Sequence, residues 1–426
     1  MPSERLGLGV DLGSSGIRLA LINAEGEPRA ELAAPYPADF ADPLSWRDGL
    51  QQLCEQLPAA LRGRVAAIAV DGTSGTLLLC RPDGTLAPGE LAAALPYHQA
   101  VPSQAAAAAA LVGPPAAGRA AATASGSLAR ALHLLAETRR CGAAGPWLLR
   151  HQADWLMGWL LGDWSWGEEG NNLRLGWDLE CNSWLGAIGA QPWSAALPRI
   201  CRSGTQLGAL ARDRAVCLGL PPDCQVVAGS TDASAAVLAA ELQPGDGVAV
   251  LGTTLALKQF SPVPLQGPGI SCQRLAGRWL VGGASNAGAG VLRRFFSDAQ
   301  LGELSRSIDP RRPSGLRLRP LPRPGERFPV DDPELEPVLE PRPVSDALYL
   351  QALLEGLAEI ERDGWRRLQA LGAPPVRRVI SLGGGARNPQ WRLIRQQLLG
   401  LPVLNRPQCS AARGMARLAL SALADR

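Results

Sequence analysis

Lysine is nearly missing from this 426-residue chain, with Lys258 its only instance, and the three histidines, His98, His133 and His151, form no cluster at ligand spacing. No zinc site is expected from them. No stretch matches G-x-x-x-x-G-K-[ST], which excludes a Walker-type phosphate loop. Nine cysteines are spread without a single C-x-x-C pair, a pattern that reads as reduced, buried thiols in a cytosolic protein. The formal net charge is only +3, and Arg18, Arg139, Arg140, Arg311 and Arg312 are scattered rather than gathered into a tract. Nucleic acid is therefore not an expected partner. The start, "MPSERLGLGV", lacks a basic region followed by an apolar core, and no later run of about 18 uncharged apolar residues occurs. A cytoplasmic location with no membrane partner is expected.

What is present is the composition of a globular protein, 46% hydrophobic and 19% charged, at a length that suits two domains of about 200 residues each. The first stretch alternates apolar runs with turn signals, "LGLGVD", "IRLALIN", "AEGE" and "RAELAAPY", and predicts a three-strand meander. A helical pattern follows in "PLSWRDGLQQLCEQLPAALRG", with Leu50, Leu53 and Leu57 at helix spacing, and then an apolar strand, "VAAIAVDG". Strand, helix, strand in this order requires a sheet that turns parallel and is covered by helices. The alanine run 105–110 and the small-residue stretch after it read as helix and connector. "HQADWLMGWLLGD" reads as an amphipathic, tryptophan-rich helix, and the proline-rich stretch from Leu318 to Val344 as an irregular excursion in which "GERFPV" could line a cleft.

A second alternating block repeats the opening theme. The strand Val248–Leu251 leads to a small turn, Gly252-Thr253-Thr254, and a return strand, just as Leu8–Leu12 leads through Gly13-Ser14-Ser15-Gly16 to Ile17–Asn23. Two such hairpins point to a duplication around an interdomain cleft, where ligands usually bind. Turns rich in glycine and hydroxyls suit phosphate oxygens, and Asp11 at the mouth of the first is accounted for by a hydrated Mg²⁺ between carboxylate and phosphate.

Three further stretches carry candidate chemistry. In "VDGTSGTLLL" the residues Asp71, Thr73 and Ser74 fall where a buried strand emerges, the usual ligand edge of an α/β sheet, although a tight Asx turn explains Asp71 equally well; Ser74 is the better candidate for a polyhydroxylated substrate. In "AGSTDASAAVLAAEL", Asp232 is placed to accept a hydroxyl proton, with an N-cap role for Ser230, Thr231 or Asp232 as the rival. In "VISLGGGARNPQWRLIRQQLLGLPV" the triple glycine at 383–385 leaves room for a flat ring against the backbone, and Asn388-Pro389 opens a helix with Trp391 in its first turn. "VGGASNAGAGVLRRFF" adds a glycine-rich lip in which Asn286 and Gly288 are candidates for nucleotide contact, with close helix packing as the alternative.

Taken in order, "GVDLGSSGIR", "AVDGTSGTLLL", "AGSTDA", "LGTTLALK" and "SLGGGARNPQW" resemble the FGGY carbohydrate kinases, of the superfamily that also holds actin, hexokinase and the heat-shock chaperone ATPases. "DGTSGT", "GASN" and "GGGARNPQW" look closest to the plant and cyanobacterial D-ribulose kinase branch. The resemblance implies an α/β fold of two ribonuclease-H-like, actin-like ATPase domains, each a mixed sheet flanked by helices. Domain one would span 1–229 and domain two 230–426, with a closing helix at about 409–426 packing back on the first. It implies Mg²⁺ and ATP, with Asp11, Gly13, Ser14 and Ser15 in the first phosphate loop and Asp11 at the metal. Ser14 would lie by the transferred phosphate, and Asp11, Ser74, Asp71 and Asp232 at the sugar. Asp232 would be the base, Gly252, Thr253 and Thr254 the second phosphate loop, and Gly384, Gly385, Asn388 and Trp391 the adenosine pocket. Position 14 carries Ser where relatives usually carry Thr, and "LPYHQAVP" keeps neither the Trp nor the Asp-Arg pair common there. The expected activity is phosphorylation of the terminal hydroxyl of a ketopentose, D-ribulose first, by a monomer or homodimer. A D-xylulose or sugar-alcohol kinase is the near alternative, and a non-catalytic sugar or nucleotide sensor the distant one; a chaperone-like ATPase would need a separate peptide-binding domain.

Overall fold

The computed structural model describes residues 4–114 and 120–424. Part of the connector after the alanine run, residues 115–119, lies outside them, as do the first three residues and the last two. Two compact units are present. The first comprises Met1–Ala239, Arg274–Gly277 and Ser410–Arg426, and the second Ala240–Gln273 and Arg278–Cys409. The helix Asp232–Ala239 thus belongs to the first unit, whereas a boundary at 229/230 would have assigned it to the second. The division follows packing, because small residues on this helix receive the backbone of the helix Ala411–Ala424 of the same unit; a Cβ on Gly414 would lie 1.9 Å from the Ala235 carbonyl oxygen.

In the first unit a six-stranded sheet is built around β1 (Leu6–Gly13). β1 pairs antiparallel with β2 (Gly16–Ile22), which pairs antiparallel with β3 (Pro28–Ala34), giving the predicted meander. On its other side β1 pairs in parallel with β4 (Val65–Gly72), and β4 in parallel with the strand Gln225–Thr231. The alternation of leucine with glycine in "LGLG" has a packing reason. Leu6, Leu8, Val10 and Leu12 are fully buried, while Gly7 and Gly9 floor a trough for the helix Ala411–Ala424. A Cβ on Gly9 would fall 1.8 Å from the Ala412 carbonyl oxygen.

The second unit repeats the plan. The strand Asp246–Leu251 pairs antiparallel with Leu255–Ser261 and in parallel with Arg378–Leu382, and the latter pairs in parallel with Val403–Asn405. Leu255–Ser261 continues antiparallel to Arg278–Ala284, with Ile270–Leu275 added at the edge.

Several local expectations are corrected. The helical pattern 43–62 is two helices, Pro43–Gln56 and Ala59–Arg62, because Pro58 cannot continue the first. The helix Gln152–Leu161 is not amphipathic; nine of its ten residues are buried, so its tryptophans are packed on all sides. None of the nine cysteines forms a disulfide, and only Cys54, Cys80, Cys201 and Cys224 are buried; Cys272 and Cys409 are half-buried, and Cys141, Cys181 and Cys217 are exposed. No helix among the described residues is long and apolar enough to cross a membrane. The proline-rich segment carries only isolated bridges, Arg319 with Val338 and Glu326 with Asp332.

Candidate active site

In the first unit three neighbouring parallel strands deliver carboxylates to one sheet edge. Asp11 on β1 is level with Asp71 on β4, and Asp71 is level with Ser230, two residues before Asp232 opens its helix. The carboxyl ends of parallel strands are where open α/β sheets place their ligands. Asp11 is almost fully buried, and its Oδ2 accepts a hydrogen bond from Nη1 of Arg18 at 3.0 Å. Arg18 is its cross-strand partner, so the two residues mirror each other about the turn Gly13–Gly16. Ser14 and Ser15 form the exposed tip of that turn.

Asp71 has no exposed surface, and neither of its carboxyl oxygens has a hydrogen-bond partner. Burial pushes its pKa well above the carboxylate range, and the nearby charges of Asp11 and Asp232 push it the same way. Burial beside two other acids thus favours the protonated form of this carboxyl over a third negative charge. Asp232 is half-buried, and its Oδ1 accepts from the amide of Ala233 at 2.7 Å. Thr231 donates its hydroxyl proton to the Ser234 hydroxyl at 3.2 Å.

Two residues that sequence reasoning missed hold this edge in shape. Tyr36, just beyond β3, donates its hydroxyl to the carbonyl of Gly13 at 2.8 Å and so fixes the first turn from outside. Burial, and next the charge of Asp11, push its phenol pKa upward, so it remains a donor. Gln152, fully buried, accepts through Oε1 from the amide of Thr73 at 3.0 Å and from its hydroxyl at 2.8 Å. This ties β4's exit to the helix Gln152–Leu161 and leaves Ser74 half-buried on the turn. Neither residue announces itself in sequence, because each acts on main-chain groups far away along the chain.

In the second unit the turn Gly252–Thr254 presents two exposed threonines. The lip 285–290 lies directly on it, with Leu255 donating its amide to the Ala287 carbonyl at 2.7 Å and Ala289 donating to the Gly252 carbonyl at 2.9 Å. Gly288 is buried there, and a Cβ would meet the Thr253 carbonyl oxygen at 2.5 Å. The buried carboxylate of Glu326 accepts from the Ser285 hydroxyl at 2.5 Å and the Asn286 amide at 2.7 Å, so "GERF" braces the lip.

The triple-glycine stretch divides in two. Gly384 is exposed with open space where a side chain would stand, whereas a Cβ on Gly385 would lie 2.4 Å from the Trp391 ring and 2.8 Å from Cβ of Leu251. Trp391 is 2% exposed and sits beneath the glycines rather than offering a free face. Asn388 caps the helix Pro389–Leu399, its Oδ1 accepting from the amides of Gln390 and Trp391, and its Nδ2 donates to the Ser305 hydroxyl at 2.9 Å.

The implied Mg²⁺ and ATP fit these residues in kind. Among the described residues no three His, Cys, Asp or Glu side chains gather into a cation cage. Mg²⁺ is ordinarily held by one or two carboxylates with water and phosphate oxygens, and one carboxylate beside an exposed turn suffices for that.

Comparison with known proteins agrees with this architecture. The xylulose kinase from Bifidobacterium adolescentis is 21% identical, the match covering 99% of this chain and 94% of that one with a TM-score of 0.80. The gluconate kinase from Lactobacillus acidophilus is 17% identical over 100% of this chain and 90% of that one, with a TM-score of 0.78. Plasmodium falciparum glycerol kinase with ADP is 13% identical over 99% of this chain and 90% of that one, with a TM-score of 0.80. At such identities the likeness is one of fold, two actin-like domains with mixed sheets and covering helices. Residues 247–423 match the C-terminal domain of the FGGY family of carbohydrate kinases, a family of phosphotransferases with an alcohol group as acceptor.

Proposed function

We propose that the protein is an ATP-dependent kinase that phosphorylates the terminal hydroxyl of a ketopentose, with D-ribulose as first choice. The observation that carries this reading is the row of Asp11, Asp71 and Asp232 at the ends of three adjacent parallel strands, beside an exposed serine turn. Asp232 accepts the proton of the attacking hydroxyl. Arg18 offsets the charge of Asp11, and the burial that raises the pKa of Asp71 lessens the negative charge the cluster presents to the phosphates. Asp11 and Ser74 face the sugar; Asp71, expected there from sequence, is fully buried behind them, and Gly13, Ser14 and Ser15 take the transferred phosphate. The turn Gly252, Thr253 and Thr254 takes the remaining phosphates, and Asn286, Gly288, Gly384, Gly385, Asn388 and Trp391 shape the place for adenosine. Mg²⁺ at Asp11 supplies charge neutralisation along the phosphates when it is bound. D-ribulose is favoured because the motif set resembles the D-ribulose kinase branch. D-xylulose or a sugar alcohol is the second reading, supported by the fold shared with xylulose and glycerol kinases.

The test is sugar-dependent ADP production with Mg-ATP, using D-ribulose, L-ribulose, D-xylulose, glycerol and ribitol. A clear preference for D-ribulose that is lost in Asp232→Ala supports the reading. Nucleotide binding with no sugar-stimulated ADP production would sink it in favour of a sensor.

A further inference from the structure

Arg130, on the helix Ser127–Arg140, is fully buried, yet all five of its hydrogen bonds go to backbone carbonyls and none to a carboxylate. Nε donates to Pro96 at 3.1 Å and to Gln99 at 3.0 Å, Nη1 to Gly75 at 3.2 Å and to Ser125 at 3.0 Å, and Nη2 to Tyr97. A buried guanidinium is costly unless hydrogen-bonded, and here each of its three nitrogens donates to main-chain carbonyls, joining three separate stretches of chain. Two of those stretches matter to the site. Gly75 follows Ser74 in the turn after β4 and has φ +108, a conformation that needs glycine and that its carbonyl shares with the clamp. Residues 96–99 carry the exposed side chains of His98 and Gln99. The amide of Tyr97 reinforces the junction by donating to the Thr76 hydroxyl at 3.1 Å, and Thr76 is itself 2.6 Å from the Thr73 hydroxyl.

We propose that Arg130 is a positioning residue for the acceptor: it holds the 96–99 loop against the Ser74–Gly75 turn, so that His98 and Gln99 stand with Ser74 as one hydrogen-bonding wall for a polyol. The inference rests on the kinase reading above. One guanidinium reaches the carbonyls of Gly75, Tyr97 and Gln99 together, so these segments are neighbours by the span of a single planar group. Hydroxyl, imidazole and amide side chains can each donate and accept, which suits sugar hydroxyls, and a site of that kind rejects an acceptor with a mismatched pattern. Arg130 itself spends its donors on the main chain and contributes shape rather than charge.

The experiment compares native protein, Arg130→Met and Arg130→Lys in sugar-dependent ADP production, with KM measured separately for D-ribulose and for ATP. Arg130→Met is expected to raise the sugar KM on the order of tenfold while the ATP KM and sugar-free ADP production stay unchanged, and Arg130→Lys to recover part of the loss. Equal changes in both KM values, or a fall in kcat alone, would overturn the assignment. Should Arg130→Met fail to fold, the double variant His98→Ala/Gln99→Ala decides, since both side chains are exposed: its sugar KM must rise, and an unchanged value refutes the wall. If the native protein uses none of the sugars, the kinase reading itself has failed, which is evident before any variant is compared.

Discussion

The turn at Gly13–Gly16 and the turn at Gly252–Thr254 leave equivalent strands. Each joins an antiparallel pair whose first strand also pairs in parallel with the next strand of its sheet. Their surroundings differ. The first turn has an Asp11–Arg18 pair at its base, Asp71 level with it and a tyrosine hydroxyl on its carbonyl. The second has two threonines and a glycine-rich lip pressed against it. The buried acids differ in the same direction. In the first unit burial pushes Asp71, Glu168 and Glu169 upward, while in the second Glu361 is held by Arg395 at 2.5 Å and Asp246 by Arg378 at 2.6 Å. One backbone plan thus serves twice, with buried acids of raised pKa gathered in one copy and close main-chain packing at the turn of the other.

The largest test of that division is Asp232→Ala, which should slow sugar-dependent ADP production by a factor on the order of 10² to 10⁴ while nucleotide binding survives. A comparable loss from Thr253→Ala/Thr254→Ala would break the division, because a turn that only cradles phosphate should cost far less. Next in size is a pair of glycine substitutions read by urea unfolding. Gly288→Ala drives a methyl into the Thr253 carbonyl and should cost about 1–3 kcal/mol. Gly13→Ala meets Nη1 of Arg18 at 3.1 Å and the Gly16 carbonyl oxygen only at the ordinary contact distance of 3.4 Å, and should cost less, about 0.5 kcal/mol.

Arg18→Gln removes the partner of Asp11, but the arginine side chain is 43% exposed, so the expected loss of stability is only about 1 kcal/mol. A further test is in pH dependence. Glu169 is buried, and its pKa is raised from 4.5 to about 7 by that burial, against the pull of Arg274 and Arg202. The folded state then keeps a proton that the unfolded state has released, so stability should fall as pH rises from about 4.5 to about 7. Glu169→Gln should flatten that slope in a melting-temperature series, and an unchanged slope would place the pH sensitivity elsewhere.

Much of this was legible in the residues. The meander, the repeated hairpin and the strand-end positions of Asp11, Asp71 and Asp232 follow from apolar periodicity broken by an acid and small residues. Arg18 was within reach too, since it mirrors Asp11 about the glycine turn. Tyr36, Gln152 and Arg130 were not, because their partners are carbonyls and amides brought close only by the fold. The triple glycine is a different case. The room it leaves for a flat ring is open at Gly384, but at Gly385 it is taken by Trp391. The helix 152–161 was misjudged because its polar residues are as buried as its tryptophans, which periodicity cannot reveal.

The helix Ala411–Ala424 lies in the glycine trough of β1, the first strand of the described chain. A ribosome therefore releases the floor of the first unit long before the element that covers it, and the whole second unit must be synthesised in between. Until then Gly7 and Gly9 offer a bare strip of strand backbone and apolar surface. Until residues 411–424 arrive, that strip is the kind of exposed edge and apolar surface through which incomplete chains associate.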